Sequence, residues 1–267
     1  MILFPEFHAR YGPWAAVAGA TEGIGRAYAQ VLAERGLNIL LIARRAELLE
    51  SEAQLIRRRY RVEVRTASLD LAAPDLAARF ENAIADLDVG LLVYNACYSR
   101  VAEFAATSAD DHLRMLDVNC RGPLALCERL VPRLLARGRG GLLLMSSMSG
   151  FQGSALVGTY AATKAFNIVL AESLWAELAP RGVDALACVA GATLTPGFEA
   201  ITPEARRGKA FPMRAEAVAR EGLAALGRRP VHIAGRLNRF VNALGRLMSR
   251  RRRALFFSNA TRSIYAP

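Results

Sequence analysis

Short apolar runs alternate with longer amphipathic stretches along most of this chain. The apolar runs are Trp14–Ala18, Asn38–Ala43, Val62–Thr66, Val89–Tyr94, Gly141–Ser146 and Val183–Val189. The amphipathic stretches between them, with helical spacing, are 24–35, 45–60, 74–86, 110–137 and 159–179. Continuously apolar strands are buried on both faces, so the pattern predicts a parallel sheet covered by helices on both sides. Right-handed crossovers then give a doubly wound, Rossmann-type α/β fold in a single domain.

A glycine-rich turn separates the first predicted strand from the first long helix. The turn comprises Gly19, Ala20, Thr21, Glu22, Gly23, Ile24 and Gly25. Glycines let the backbone approach a pyrophosphate, which then lies at the helix N-terminus where free N–H groups favour anions. The G-x-x-x-G-x-G spacing is a variant of the dinucleotide-binding fingerprint. A glycine turn that binds no ligand is the alternative interpretation.

The end of the second strand bears on the choice of nicotinamide cofactor. An acidic residue there would accept hydrogen bonds from the ribose 2′-hydroxyl of NAD(H). This strand instead ends in Arg44 and Arg45, and guanidinium groups suit the 2′-phosphate of NADP(H). The sequence therefore favours NADP(H) over NAD(H). In the alternative, the two arginines only begin a solvated helix, with Glu47 as an ion-pair partner.

Tyr160 and Lys164 are four residues apart and are expected on one face of a helix. A phenol has an ordinary pKa near 10, and a neighbouring ammonium favours the phenolate and lowers that pKa. Tyr160 could then give a proton to a carbonyl oxygen as a hydride arrives at the carbonyl carbon. Tyrosine and lysine are common on amphipathic helices, so this pair gains its meaning from its neighbours.

Ser147 lies 13 residues before Tyr160, and Asn119 lies in the sequence Leu-Asp-Val-Asn. With the glycine turn and Tyr160-x-x-x-Lys164, these residues resemble the short-chain dehydrogenase/reductase family over about residues 10–200. The resemblance implies that Tyr160 is the acid/base and that Ser147 orients the carbonyl. It also implies that Lys164 lowers the tyrosine pKa and holds the nicotinamide ribose, and that Asn119 positions a water.

The resemblance extends the cofactor site beyond the glycine turn. It implies that Asp70 and Leu71 contact the adenine, and that Asn95 and Ala96 form the core of an Asn-Asn-Ala-Gly-like motif. Tyr94 and Cys97 depart from that motif. Cys97 is expected to fill space as a small buried residue. The further residues that the resemblance places at the cofactor are Gly191, Thr193 and Thr195.

The net charge of +11 belongs to the end of the chain. From Gly222 onward there are ten arginines, no lysine and no acidic residue, which leaves 25 basic and 24 acidic residues before it. Nucleic acid is therefore an unlikely partner for the body, in spite of the high pI. We divide the chain into a Rossmann domain, residues 1–235, and a basic amphipathic C-terminal extension, residues 236–267. The extension either packs its apolar face on the body or on another subunit, or lies on an anionic membrane surface.

Residues 198–214 resemble the family's substrate lid, and their apolar members are Phe198, Ile201, Phe211 and Met213. They favour a hydrophobic substrate that is lipid-like, steroid-like or polyketide-like. The expected activity is NADP(H)-dependent hydride transfer to a carbonyl or from a secondary alcohol. The alternatives are a cofactor-binding sensor without turnover and an epimerase or dehydratase on the same scaffold.

The remaining expectations concern the surroundings of the protein. Four cysteines without a CxxC pair favour the cytoplasm, and the three scattered histidines indicate no metal site. The resemblance implies a homodimer or homotetramer.

Overall fold

The strands of the computed structural model, which describes residues 4–265, form one seven-stranded parallel sheet and a separate two-stranded ribbon. The sheet has the order β3-β2-β1-β4-β5-β6-β9. Its strands are β1 (Trp14–Ala18), β2 (Asn38–Ala43), β3 (Val64–Ser68), β4 (Val89–Tyr94), β5 (Gly140–Ser147), β6 (Val183–Ala190) and β9 (Val231–Ile233). The ribbon pairs β7 (Thr193–Leu194) with β8 (Met213–Arg214). The order reverses direction between β1 and β4, which confirms the doubly wound, Rossmann-type fold.

Helices cover both faces of the sheet and form the C-terminal end of the chain. In order they are α1 (Pro5–Tyr11), α2 (Gly23–Glu34), α3 (Ala46–Tyr60), α4 (Leu76–Ala83), α5 (Ala109–Leu116), α6 (Gly122–Arg137), α7 (Gly158–Leu178), α8 (Pro196–Ile201), α9 (Glu204–Arg207), α10 (Ala215–Ala225), α11 (Arg236–Arg246) and α12 (Arg250–Tyr265). Within residues 4–265, no helix combines the length and the apolar character that crossing a bilayer requires.

Side chains of β1 alternate between the two core layers that the sheet separates. Ala15 and Val17 pack with Tyr28 of α2 on one face, whereas Ala16 and Ala18 face the other layer. This alternation follows from the two-residue period of a strand. Every residue of β1 is buried, and continuous burial explains why the strand is apolar throughout.

The main differences from the sequence-based prediction concern β3, β9 and the stretch 110–137. β3 begins at Val64 rather than Val62, and most of its side chains are exposed because it is an edge strand, which weakens its apolar signal. The three-residue strand β9 was not predicted, because so short a run has little periodicity. The stretch 110–137 is not one helix, since a π-helical turn at Asp117–Arg121 separates α5 from α6.

Candidate active site

The carboxyl ends of the central strands open into a cleft of about 840 Å³. In doubly wound folds, ligands bind at this edge of the sheet, where the strand order reverses. The predicted site residues that line the cleft are Gly19, Thr21, Glu22, Gly23, Ile24, Arg44, Arg45, Asp70, Leu71, Asn95, Ala96, Ser147, Tyr160, Lys164, Gly191, Thr193 and Thr195. Asn119 and Gly25 do not line it.

The glycine turn brings the N-terminus of α2 to the cleft. Gly19 and Gly23 have φ values of +80° and +57°, a backbone conformation that residues other than glycine rarely adopt. Gly25 serves packing instead, because a Cβ atom there would lie 2.0 Å from the carbonyl oxygen of Gly19. The 12-residue helix α2 therefore begins at the cleft, and its free N–H groups favour an anion. These residues fit a dinucleotide.

The two arginines after β2 have different surroundings. The Arg45 guanidinium donates to Glu22 Oε2 at 2.9 Å and to Thr21 Oγ1 at 3.2 Å, so its acidic partner is Glu22 rather than Glu47. Arg44 is exposed at the rim of the cleft, and its guanidinium forms no ion pair within residues 4–265. A positive charge without an acidic partner at the end of β2 fits a 2′-phosphate.

Asn95 and Ala96 connect β4 to the glycine turn. The side-chain amide of Asn95 donates to the carbonyl oxygen of Gly19 at 3.2 Å, and the Ala96 N–H donates to that of Ala18 at 2.9 Å. Asp70, at another wall, accepts from the Ala72 N–H at 3.0 Å. These bonds fix the backbone that surrounds the predicted nucleotide site.

Tyr160, Ser147 and Lys164 meet where β5 ends and α7 begins. Ser147 is the last residue of β5, and Tyr160 lies in the first turn of α7. The buried Lys164 Nζ donates to the carbonyl oxygen of Met145 at 3.1 Å and lies 5.7 Å from the centre of the Tyr160 ring. The structure therefore places a phenol, a hydroxyl and an ammonium group around one end of the cleft.

The pKa of Tyr160 shifts in the direction opposite to the one expected from Lys164. Burial, followed by the nearby Cys97 thiol, raises the pKa of Tyr160 above its ordinary value, while Ser147 lowers it and Tyr265 raises it further. Burial dominates because a phenolate loses more hydration than a neutral phenol when water is excluded. Tyr160 is therefore held in its protonated form.

Asn119 is fully buried in the π-helical turn rather than exposed to the cleft. Its side chain accepts from the Tyr98 N–H at 2.8 Å and donates to the Tyr98 carbonyl oxygen at 2.8 Å and to Thr163 Oγ1 at 3.0 Å. Its own carbonyl oxygen accepts from Asn167 Nδ2 at 3.1 Å. The side chain thus joins the cleft loop at Tyr98 to α7, next to Lys164, and its role in positioning a water stays a prediction.

Tyr94 and Cys97, which depart from the family's motif, both have defined contacts. The buried Tyr94 hydroxyl donates to the Val118 carbonyl oxygen at 2.5 Å, within the π-helical turn, and Gly122 leaves the room that it occupies. Cys97 is exposed rather than buried, and its thiol lies near the Tyr160 phenol. Their difference from the family's motif was the only sequence signal that marked these two residues.

The C-terminal extension forms part of the cleft wall. The sequence analysis left open whether the extension packs on the body, on another subunit or on a membrane. Its lining residues are Leu237, Asn238, Val241, Phe256, Phe257, Ala260, Thr261, Ile264 and Tyr265. Ser154 fastens α12 to the body through contacts with Thr261 Oγ1 at 2.7 Å and the Phe257 carbonyl oxygen at 3.2 Å. Phe198, Ile201 and Phe211 of the predicted lid line the same cleft.

The chain matches the short chain dehydrogenase family over residues 13–206. It belongs to this family. Short-chain dehydrogenases are oxidoreductases, so the chain is an oxidoreductase.

Known short-chain dehydrogenases resemble the chain over most of its length. A 7beta-hydroxysteroid dehydrogenase from Clostridium sardiniense is 34% identical over 234 residues, which cover 88% of this chain and 90% of that protein. A solved structure described for 7beta-hydroxysteroid dehydrogenase stereoselectivity superposes with a TM-score of 0.88 at 29% identity, covering 94% of this chain and 98% of the other. A short-chain dehydrogenase from Sphingobium yanoikuyae, solved with NADPH, gives a TM-score of 0.75 at 27% identity, covering 88% and 93%.

Proposed function

We propose that this short-chain dehydrogenase transfers a hydride between NADP(H) and the carbonyl or secondary alcohol carbon of a bulky hydrophobic substrate. The observation that carries the proposal is the position of Tyr160. Its phenol lies where the cleft that begins at the glycine turn meets the apolar wall formed by the lid and the C-terminal extension. A proton donor at this junction can serve a substrate held against that wall.

In the direction of ketone reduction, a bound NADPH supplies the hydride. Tyr160 donates its proton to the carbonyl oxygen, so that a secondary alcohol forms and the phenolate remains. Its raised pKa keeps Tyr160 in the protonated form that this step uses. Ser147 donates a hydrogen bond that orients the carbonyl oxygen, and Lys164 stabilises the phenolate and holds the nicotinamide ribose.

The other cleft residues would hold the rest of the cofactor, and the two arginines support NADP(H) in preference to NAD(H). Gly19, Gly23 and the N-terminus of α2 would hold the pyrophosphate, and Arg44 with Arg45 would hold the 2′-phosphate. Other residues would hold the adenine and the nicotinamide ends, namely Thr21, Glu22, Ile24, Asp70, Leu71, Asn95, Ala96, Gly191 and Thr193. The NADPH-bound Sphingobium relative supports this assignment.

A rigid, steroid-sized ketone suits the substrate end of the cleft. Its walls are supplied by apolar side chains from the lid and the extension, including Phe198, Val241 and Phe257. The similarity to a 7beta-hydroxysteroid dehydrogenase over 88% of the chain supports a steroid as the first compound to test. In this proposal the extension, residues 236–267, acts with the Rossmann domain, residues 1–235, as the roof of the substrate site.

Exposed apolar side chains on α5, α6 and α7 support assembly. Leu113, Leu124 and Val169 are exposed by 59%, 49% and 61%. We assign these helices to the contact of a cytoplasmic homodimer or homotetramer.

Tyr160→Phe tests the proposed chemistry, with Tyr60→Phe as the matched control because Tyr60 lines a separate surface groove. NADPH oxidation with a panel of steroid and smaller ketones should fall by at least about 100-fold in Tyr160→Phe, whereas NADPH binding measured by fluorescence should persist. Unchanged NADPH oxidation would remove Tyr160 from the mechanism. NADPH binding by the unaltered protein without turnover of any ketone would favour a sensor.

A further inference from the structure

Helix α11 presents its apolar stripe to solvent. Leu237, Phe240, Leu244 and Leu247 follow one another along one side, and they are exposed by 48%, 61%, 48% and 85%. The opposite side is buried at Asn242 and Gly245, where it packs on α12 through Arg253 and Phe257. A core-facing helix would show the reverse arrangement, so the stripe is available to a partner.

The stripe continues into the entrance of the substrate end of the cleft. Leu237 lines that cleft together with Ile201, Phe211 and Phe256, which are exposed by 44%, 71% and 51%. We call Ile201, Phe211, Leu237, Phe240, Leu244, Leu247 and Phe256 the outer apolar face. Single exposed apolar side chains are ordinary, but a contiguous group at a pocket entrance marks an interaction surface.

The segment that carries most of this face is also rich in arginine. The arginines that are exposed and form no ion pair within residues 4–265 are Arg236, Arg246, Arg250, Arg251 and Arg252. No acidic residue follows Gly222 in the sequence, so the segment cannot neutralise its own charge. By contrast, Arg239 binds Glu221 at 2.9 Å, and Arg253 binds Asn242 at 3.0 Å. The first group is thus free to meet an anionic partner.

A second copy of the chain is a poor occupant of the outer apolar face. In a twofold contact the same patch of both copies meets, so the arginine-rich segment of one copy would approach that of the other, and the segment holds no acidic residue to offset the repulsion. An anionic lipid surface offers both requirements at once, phosphate groups for the arginines and an apolar layer for the leucines and phenylalanines.

We propose that the outer apolar face docks on an anionic lipid surface, with α11 lying in the plane of the headgroups. The arginines contact lipid phosphates while the apolar side chains enter the boundary layer. The entrance to the substrate end of the cleft then opens toward the lipid. This inference goes beyond the proposed hydride transfer and does not depend on it.

Vesicle sedimentation of the full chain tests the docking. Vesicles of phosphatidylcholine with phosphatidylglycerol should bind the protein, vesicles of phosphatidylcholine alone should bind it weakly, and binding should fall between about 0.05 M and about 0.5 M salt. Replacing Arg250, Arg251 and Arg252 by glutamine should weaken binding by about 100-fold, since each arginine near such a surface contributes about 1 kcal/mol.

A matched pair of apolar variants separates docking from general surface change. Phe240→Asp with Leu247→Asp should abolish vesicle binding. The control, Leu48→Asp with Leu55→Asp, alters side chains of α3 with exposures of 43% and 49% and should leave binding intact. Circular dichroism verifies folding, and NADPH oxidation without vesicles should be unchanged in both.

Three results would overturn the docking. They are a lack of binding by the unaltered protein, equal binding to the two vesicle types, and binding that survives the Phe240 and Leu247 changes. If those changes instead dissociate an oligomer that does not bind vesicles, the face belongs to a second copy. Retained NADPH oxidation in any of these cases leaves the proposed hydride transfer standing.

Discussion

The guanidinium of Arg45 donates a hydrogen bond to the carboxylate of Glu22 at 2.9 Å, joining the end of β2 to the glycine turn. Glu22 is the residue immediately before α2. The contact ties together two parts of the proposed nucleotide site that are more than 20 residues apart in sequence. It also leaves Arg44 as the neighbouring guanidinium without an acidic partner among residues 4–265.

Arg44→Asp should reverse or abolish the proposed preference for NADPH. A charge-assisted hydrogen bond is worth about 1.5–3 kcal/mol, so the ratio of kcat/KM for NADPH to that for NADH should fall at least roughly 10- to 100-fold. Steady-state kinetics with both cofactors measures this ratio. Arg139→Asp, an exposed arginine next to the opposite end of β5, is the control and should leave the ratio unchanged. An unaltered ratio in Arg44→Asp would indicate that Arg45, rather than Arg44, binds the 2′-phosphate.

The two reaction directions should differ in their pH dependence. Ketone reduction needs protonated Tyr160 and is lost as pH rises through its pKa, whereas alcohol oxidation needs the phenolate and gains with pH. Because burial and then Cys97 raise the pKa of Tyr160, kcat/KM for reduction should stay constant from about pH 6 to about pH 9, and kcat/KM for oxidation should still be rising at about pH 10. Oxidation that levels off near neutral pH would show that the ammonium of Lys164 outweighs burial.

Tyr265→Phe should move that pH profile. The Tyr265 phenol lines the cleft and raises the pKa of Tyr160, so its removal should shift the rise in alcohol oxidation to lower pH. NADPH affinity should be unchanged. Tyr60→Phe is the matched control. An unshifted profile would show that α12 lines the cleft but does not affect the pKa of Tyr160.

Gly25→Ala should destabilise the protein and weaken NADPH binding. The added Cβ would lie 2.0 Å from the Gly19 carbonyl oxygen and 2.6 Å from Asn95 Nδ2, so α2 must move away from the turn. Forced overpacking costs about 1–3 kcal/mol of unfolding free energy, which denaturant titration measures. Gly158→Ala is the control, because no atom lies within 4 Å of its added Cβ at the start of α7. Equal stability of the two variants would contradict the close packing.

The fold and the cofactor end of the cleft could be predicted because their signals are local. The apolar runs that form β1, β2, β4, β5 and β6 and the glycines before α2 are each contiguous in sequence. The edge strand β3 and the short β9 were placed wrongly or missed, because exposure and brevity remove periodicity. The contact of Arg45 with Glu22 rather than Glu47 depends on the distance between β2 and the turn, which spacing in the sequence does not contain.

The amino-acid sequence by itself determined the doubly wound sheet, the family and the grouping of Ser147, Tyr160 and Lys164, because apolar periodicity and motif spacing encode them directly. Only the tertiary structure decided that the pKa of Tyr160 is raised rather than lowered, since burial and the approach of Cys97 and Tyr265 depend on segments that are distant in sequence. It also decided that α12 lines the cleft while α11 turns its apolar stripe outward. An amphipathic pattern specifies that a helix has an apolar face, but the packing of the other side of α11 on α12 fixes which way that face points.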